Sequence, residues 1–217
     1  MGKTIRLLGI QLTLLPERAL LLPEYDTLVV ADWHLGKAAH FRKAGIFMPA
    51  LPVDKDRARL QSLLDRYRIQ TVVFLGDLFH SDLNSEWLVF EQFRVANPSI
   101  RFILTRGNHD ILPDTLLEKA EVNVVPFYTV AAHIHCTHHP EAHRFPGRLN
   151  IAGHVHPGCL IAANGRQSYR LPCFYYREQT LLLPAFGSLT GLFRVPHLEG
   201  ARIYPIVGNQ VLDWKKV

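Results

Sequence analysis

The sequence predicts an α/β fold: a four-layer α-β-β-α sandwich with two mixed sheets packed face to face and helices outside. Three features point to it. Strand-like and helix-like runs alternate in the first half, short strand-like runs fill the second half, and several apolar runs stop in turns crowded with ligand-type side chains. The 217 residues are enough to close one core, and residues 1–217 are read as a single domain.

Strand-like segments near Ile5–Leu8, Gln11–Leu14, Ala19–Leu22 and Thr27–Ala31 are separated by turn signals at Pro16-Glu17 and Pro23-Glu24, which suits a meander leading into a central strand. Leu35–Gly45 is a short basic helix or loop carrying Lys37, His40, Arg42 and Lys43. Val53–Arg68 has Leu60, Leu63, Leu64 and Tyr67 at helical spacing, acids near its start and arginines near its end, so it predicts an amphipathic helix. Asn84–Phe93 predicts a second helix, with Trp87, Leu88 and Phe93 inward. The second half offers strands at Glu121–Pro126, Thr129–Cys136, Arg148–Ala152, Gly158–Ala163, Arg170–Tyr176, Thr180–Leu183, Ala201–Val207 and Gln210–Trp214. Asn164-Gly165 and Gly208-Asn209 read as hairpin turns.

Composition narrows the function classes. The apolar stretch Ala19–Val30 is interrupted by Pro23, Glu24 and Asp26, too short and polar for a bilayer, and neither end reads as a signal peptide. The expectation is a soluble, cytoplasmic protein with no membrane partner. Cys136, Cys159 and Cys173 are odd in number and widely spaced, as reduced core thiols would be. A net charge of +5 and a pI near 9.2 suit a polyanionic partner such as nucleic acid.

The stretch Thr71–Leu75 runs into Gly76-Asp77, a buried strand delivering a carboxylate into a turn. The same form recurs in Val29-Val30-Ala31-Asp32-Trp33-His34, in Phe102–Arg106 before Gly107-Asn108-His109-Asp110, and in Leu149–Ala152 before Gly153-His154-Val155-His156; His138-His139-Pro140 adds two imidazoles. Asp and Asn often end strands in turns, which explains any one of these and not all of them together. Carboxylate, imidazole and amide oxygen suit Mn, Fe or Zn. Residues i and i+2 at a strand end share a side, so Asp32 with His34, and His154 with His156, can each converge on a cation. The donors exceed what one cation needs. Two cations roughly 3.5–4 Å apart would use them and clamp a phosphoester for in-line displacement, with Asp77 as the candidate shared ligand.

This order of motifs resembles the calcineurin-like metallophosphoesterase superfamily, whose pattern is D-x-H, G-D-x-x-D, G-N-H-D/E, H and G-H-x-H. The resemblance spans residues 32 to 156 and implies a metallo-dependent phosphatase-like fold. It implies that Asp32, His34, Asp77 and His156 hold one divalent cation and Asp77, Asn108, His138 and His154 the other, with Mn favoured over Fe or Zn. It also implies that His109 meets the scissile phosphate, that Asp110 or Asp32 orients its ring, and that a hydroxide bridging the two cations attacks phosphorus. Two departures stand out. His80 takes the place of the usual second Asp, and of His138 and His139 the first is chosen because such pairs usually ligate through their first member.

Within the superfamily, Asp32–Ile46 and Gly76–Ser81 resemble the bacterial ligase-associated DNA damage response endonucleases, which implies DNA as substrate and association with a DNA ligase and helicase. Lys37, Arg42 and Lys43, just past the first motif, are the candidate substrate phosphate contacts. The alternative is a pyrophosphatase-type phosphohydrolase of a small or lipid-linked nucleotide; a scaffold without catalysis ranks last because every ligand position is filled. Outside the motifs, His133 and His135 are read as structural, His143 as loop and His197 as surface, and Phe174, Tyr175, Tyr176 and Phe186 as core.

Overall fold

The computed structural model describes residues 1–37, 41, 45, 51–80, 85–141, 146–162 and 168–214. The first sheet has strand order β1(Lys3–Leu7)–β2(Ile10–Leu15)–β3(Ala19–Leu22)–β4(Thr27–Val30)–β5(Thr71–Phe74)–β6(Arg101–Thr105)–β7(Val122–Val125). Its first four strands form an antiparallel meander, and β4 to β7 run parallel. The parallel crossovers carry helices α1(Leu51–Arg66), α2(Ser85–Ala96) and α3(Asp114–Lys119).

Strand alternation sorts this sheet into two cores. Leu28, Val30, Val72, Phe74, Phe102 and Leu104 face the helices and meet Leu60, Leu63, Trp87, Phe90 and Phe93. Val29, Ala31, Val73, Leu75 and Ile103 face the second sheet and meet Ile134, Cys136, Leu149, Ile151, Phe174 and Leu181. Parallel strands buried on both faces read as unbroken apolar runs, which is why these strands were plain in the sequence. Phe74, 2% exposed, touches the rings of Trp33, Phe90 and Phe102. Phe74→Ala is expected to destabilise the protein by about 3–5 kcal/mol in urea unfolding; a loss below about 1 kcal/mol would mean that the helix layer collapses into the gap.

The second sheet follows the path β14(Phe193–Arg194)–β11(Pro157–Ala162)–β12(Ser168–Arg177)–β13(Thr180–Leu182)–β10(Leu149–Ala152)–β9(Ile134–Thr137)–β8(Tyr128–Ala131), with β15(Arg202–Val207) and β16(Gln210–Val211) attached through β12. It is mixed, as expected: β9, β10 and β13 are mutually parallel and the rest of the path is largely antiparallel. The helices supply only one outer layer among the described residues. The outer face of the second sheet carries Cys159, Cys173, Tyr175 and Ile203, covered by Val195, Ala201 and Trp214 rather than by a helix.

One predicted strand is two. Thr129–Cys136 splits into β8 and β9, an antiparallel hairpin turning at Ala132-His133 with a register shift after Thr129. The run Val-Ala-Ala-His-Ile carries no Gly, Pro or Asn to mark the turn. His133 therefore sits in a turn near the Tyr25 hydroxyl, while His135 is buried in β9 beside Thr129 and Arg148. The expected Asn164-Gly165 turn lies outside the described residues. Among the described residues no helix is long and apolar enough to cross a membrane.

Candidate metal centre

The parallel register Val30↔Phe74↔Leu104 makes β4, β5 and β6 end at one edge, so the loops carrying Asp32, Asp77 and Asn108 emerge side by side. In the second sheet, Thr137 of β9 is level with Ala152 of β10, which sets His138 beside the loop of His154 and His156. The loops are tied to one another by backbone bonds: Asp32 N–H to Gly76 O at 3.3 Å, His34 N–H to Asp77 O at 2.9 Å and Gly153 N–H to His138 O at 3.1 Å. Asp32, His34, Asp77, His154 and His156 all have φ between 48° and 66°. A left-handed backbone costs a non-glycine residue about 1–2 kcal/mol, so its concentration here marks a site where tertiary contacts override local preference.

The side chains converge. His34 Nε2 lies 3.3 Å from His156 Nε2, and His156 Nε2 lies 3.5 Å from Asp32 Oδ1. His138 Nε2 lies 3.1 Å from His154 Nδ1, 3.0 Å from Asn108 Oδ1 and 3.6 Å from Asp77 Oδ1. Asp32, His34, Asp77 and His138 are buried at the base, whereas Asn108, His109, His154 and His156 border solvent, so the cluster has an open face. Burial first, then Lys37 and the neighbouring imidazoles, push the pKa of His34 down to about 2, which keeps the ring neutral with a lone pair to offer. His154 is lowered too, by burial and by His139 and His138.

Support around these groups fixes which atoms face inward. His138 Nδ1 meets Leu75 O at 2.9 Å; a proton held there by the carbonyl leaves Nε2 as the acceptor facing the cluster. Both Asp32 oxygens accept the His154 N–H, at 2.9 and 3.1 Å, and Asp77 Oδ1 accepts the His109 N–H at 2.9 Å. The glycine of each motif is a matter of space. A Cβ on Gly107 would strike Asp77 N and Oδ1, and one on Gly153 would come within 2.9 Å of Asp32 Oδ2 and of Leu75 O.

A further support was not read from the sequence. Ala185 bridges Ala31, Phe186 N–H donates to Ala31 O at 2.7 Å and Gly187 N–H to Asp32 O at 3.2 Å. Arg59 donates to Phe186 O, and Arg18 reaches Gly187 O at 3.4 Å. Buried Asp56 accepts from the Ser188 backbone at 2.7 Å and from its hydroxyl. This segment clamps the Asp32 loop from behind. The one sequence signal was Gly187, where a Cβ would strike Trp33 O.

The remaining predicted residues fall around this cluster. The His109 ring packs on His80 and His34 with centroids 4.9 and 5.5 Å apart. Asp110 does not reach for that ring: its carboxylate accepts Gly107 N–H at 2.8 Å and Phe79 N–H at 3.1 Å, bracing the loop, and burial raises its pKa. The Lys37 ammonium lies close enough to feel Asp77, which opposes the lowering of its pKa by burial. Arg42 and Lys43 lie outside the described residues. His139 is exposed and joins His138 and His154 in one imidazole group.

The donors fit divalent cations. Ligand bonds of about 2.0–2.2 Å at tetrahedral or octahedral angles separate neighbouring ligand atoms by roughly 3.0–3.5 Å, the spacing seen here. Two imidazole acceptors facing each other at 3.3 Å repel unless a proton or a cation lies between them. The groups Asp32–His34–His156 and Asp32–Asp77–His138 each bring three such atoms together.

Comparison with known proteins gives the same reading. Among solved structures, a nuclease named MPE from Pseudomonas putida is similar over 99% of this chain and 100% of its own, with 29% identity and a TM-score of 0.80. A protein of unknown function from Aquifex aeolicus is 21% identical over 64% of this chain and 82% of its own with a TM-score of 0.42, a likeness too distant to argue from. No curated protein matches. The family model for calcineurin-like phosphoesterase matches residues 25–158, the span that holds every candidate ligand, and the chain accordingly belongs to that family of metal-dependent phosphoesterases.

Proposed function

We propose that this chain is a two-cation phosphodiesterase that cuts nucleic acid, with DNA as its substrate. The observation that carries the reading is the likeness to a nuclease along the whole chain, together with a donor cluster that opens to solvent rather than into a closed pocket. Asp32, His34, Asp77 and His156 would hold one cation, and Asp77, Asn108, His138 and His154 the other. Their mixture of imidazole, carboxylate and amide oxygen suits Mn, with Fe and Zn as alternatives. When bound, such a pair supplies positive charge to the phosphate and acidifies water.

The chain's own groups do the rest. His109, held by its backbone bond to Asp77 and by packing on His34 and His80, would give a proton to the leaving oxygen as the phosphorus–oxygen bond breaks. Asp110 acts through the loop it braces rather than on the ring. Lys37 beside Asp77, with Arg42 and Lys43, would meet substrate phosphate. The likeness of Asp32–Ile46 and Gly76–Ser81 to ligase-associated DNA damage response endonucleases supports a role in DNA repair beside a ligase and helicase.

The test compares bis-p-nitrophenyl phosphate with circular single-stranded DNA, in Mn, after chelation, and in His109→Ala. Mn-dependent opening of the circle that falls about 10²–10⁴-fold in the variant is the expected result. Hydrolysis of the small diester with the circle left intact would reassign the chain to small phosphodiesters or nucleotide pyrophosphates.

A further inference from the structure

Next to the metal centre, the second sheet continues past the histidine pair. Strand β14 lies parallel to β11 with Pro157↔Phe193 and Gly158↔Arg194 level, and β12 lies antiparallel on the other side with Leu160↔Arg170 level. The ladder begins at the candidate ligands themselves: Phe193 N–H donates to His156 O at 2.9 Å, and Val195 N–H to Gly158 O at 2.9 Å. Val155, Cys159, Ile161, Leu171, Cys173 and Val195 all belong to the apolar cluster on the outer face of this sheet. Alternation therefore puts Gly158, Leu160, Arg170 and Arg194 on the opposite face, where Phe174 and Tyr176 of the same β12 pack between the sheets. The metal centre lies between the sheets as well, so both arginines are on its side.

Arg170 and Arg194 are exposed, and among the described residues neither meets a carboxylate. Arg170 Nη1 instead reaches Leu192 O at 3.5 Å, at the base of β14. A Cβ on Gly158 would fall 2.8 Å from Leu192 Cβ, so Leu192 sits directly against the Gly158 backbone. Arg194 is level with Gly158, two residues past His156, and the Arg170 side chain crosses from the far side of β11 to Leu192, next to Phe193 at the level of Pro157. Both arginines therefore flank the His156 end of β11 from outside the donor cluster, where phosphates beside the scissile one would lie.

We propose that Arg194 and Arg170 form a phosphate track that holds the non-scissile phosphates of a polynucleotide on one side of the metal centre. The proposal rests on the nuclease reading and deepens it: it says that the substrate is a chain of phosphodiesters and where that chain leaves the site. Guanidinium forks suit phosphate oxygens, and contacts of this kind set position and affinity without reading sequence.

The experiment measures kcat/KM for a single-stranded DNA oligonucleotide across salt concentrations in the full chain with Mn, beside bis-p-nitrophenyl phosphate. The proteins are wild type, Arg170→Gln/Arg194→Gln and Arg170→Lys/Arg194→Lys. Each lost single-strand phosphate contact reduces the steepness of the log–log salt dependence by about 0.7, so the Gln pair should lower it by about 1.4. Its oligonucleotide kcat/KM should fall by about 10- to 100-fold through KM, the small diester should change less than about twofold, and the Lys pair should recover most of the loss. An unchanged salt slope in the Gln pair, or an equal loss on both substrates, overturns the track. A wild-type protein that hydrolyses the small diester and leaves every oligonucleotide intact overturns the nuclease reading itself, a result separable from failure of the track.

Discussion

Asp77→Asn is expected to lower hydrolysis of bis-p-nitrophenyl phosphate by at least about a thousandfold while leaving the protein folded. Asp77 is 2% exposed, and its two oxygens face different halves of the cluster: Oδ1 lies 3.6 Å from His138 Nε2, and Oδ2 lies 4.0 Å from His34 Nε2. Asp32 joins both donor groups too, but through the single oxygen Oδ1, whereas Asp77 turns a different oxygen to each side. The amide keeps the shape and one acceptor oxygen, so the His109 N–H retains a partner and the loop holds. It removes the negative charge that two adjacent cations would share, and without it their mutual repulsion is unscreened in a buried site. A thousandfold in rate corresponds to about 4 kcal/mol of transition-state stabilisation, a modest share of what a metal pair contributes. Mn titration by calorimetry should show the second cation lost, with circular dichroism unchanged. Two tightly bound cations and a tenth of the wild-type rate would show that Asp77 is not the shared ligand.

That Asp77 stands out in the sequence, whereas the clamp behind Asp32 does not, reflects how each is encoded. The parallel strands announce themselves because burial on two faces demands apolar residues at every position from Val72 to Leu75, and the break at Gly76-Asp77 is abrupt. The donors were legible as a set because each follows such a break. Their mutual placement depends on strand register, which residue types do not state. The 185–188 segment works through backbone carbonyls that accept from Arg18 and Arg59. Any sequence with small residues there could do the same, so nothing but Gly187 hinted at it. Helix α3 and strand β14 are short, with Asp114–Lys119 and Phe193–Arg194 offering too few residues for a period to show. That the sequence leaves the orienting of His109 to Asp110 or Asp32 has a related reason. An acid after Gly-Asn-His could orient the imidazole or cap the loop, and only the structure shows its oxygens taken by the Gly107 and Phe79 amides.

Gly76→Ala is the second substitution with a large expected effect, and its cost separates into two parts by comparison with Gly9→Ala. Both glycines have left-handed backbones, φ +70° and +82°. A Cβ on Gly9 meets nothing within 4 Å, so that variant should lose only the backbone cost, about 1 kcal/mol. A Cβ on Gly76 would lie 2.5 Å from His138 Cγ and 2.8 Å from Gly107 Cα, one of them the ring of a candidate ligand and the other the backbone of the next motif. Neither can yield alone, because His138 is tied to Leu75 O at 2.9 Å and a shift of Gly107 carries Asn108 with it. Gly76→Ala should therefore cost about 2–4 kcal/mol in urea unfolding, and weaken Mn binding by about 10- to 100-fold or more, as loss of a ligand's supporting hydrogen bond does elsewhere. Gly9→Ala should bind Mn as wild type does. Equal destabilisation of the two variants with Mn affinity retained would mean that the glycine before Asp77 serves the turn alone. Unequal destabilisation with weakened Mn binding would mean that the Gly-Asp pair is one device, in which the missing side chain of Gly76 makes room for the imidazole that stands opposite Asp77.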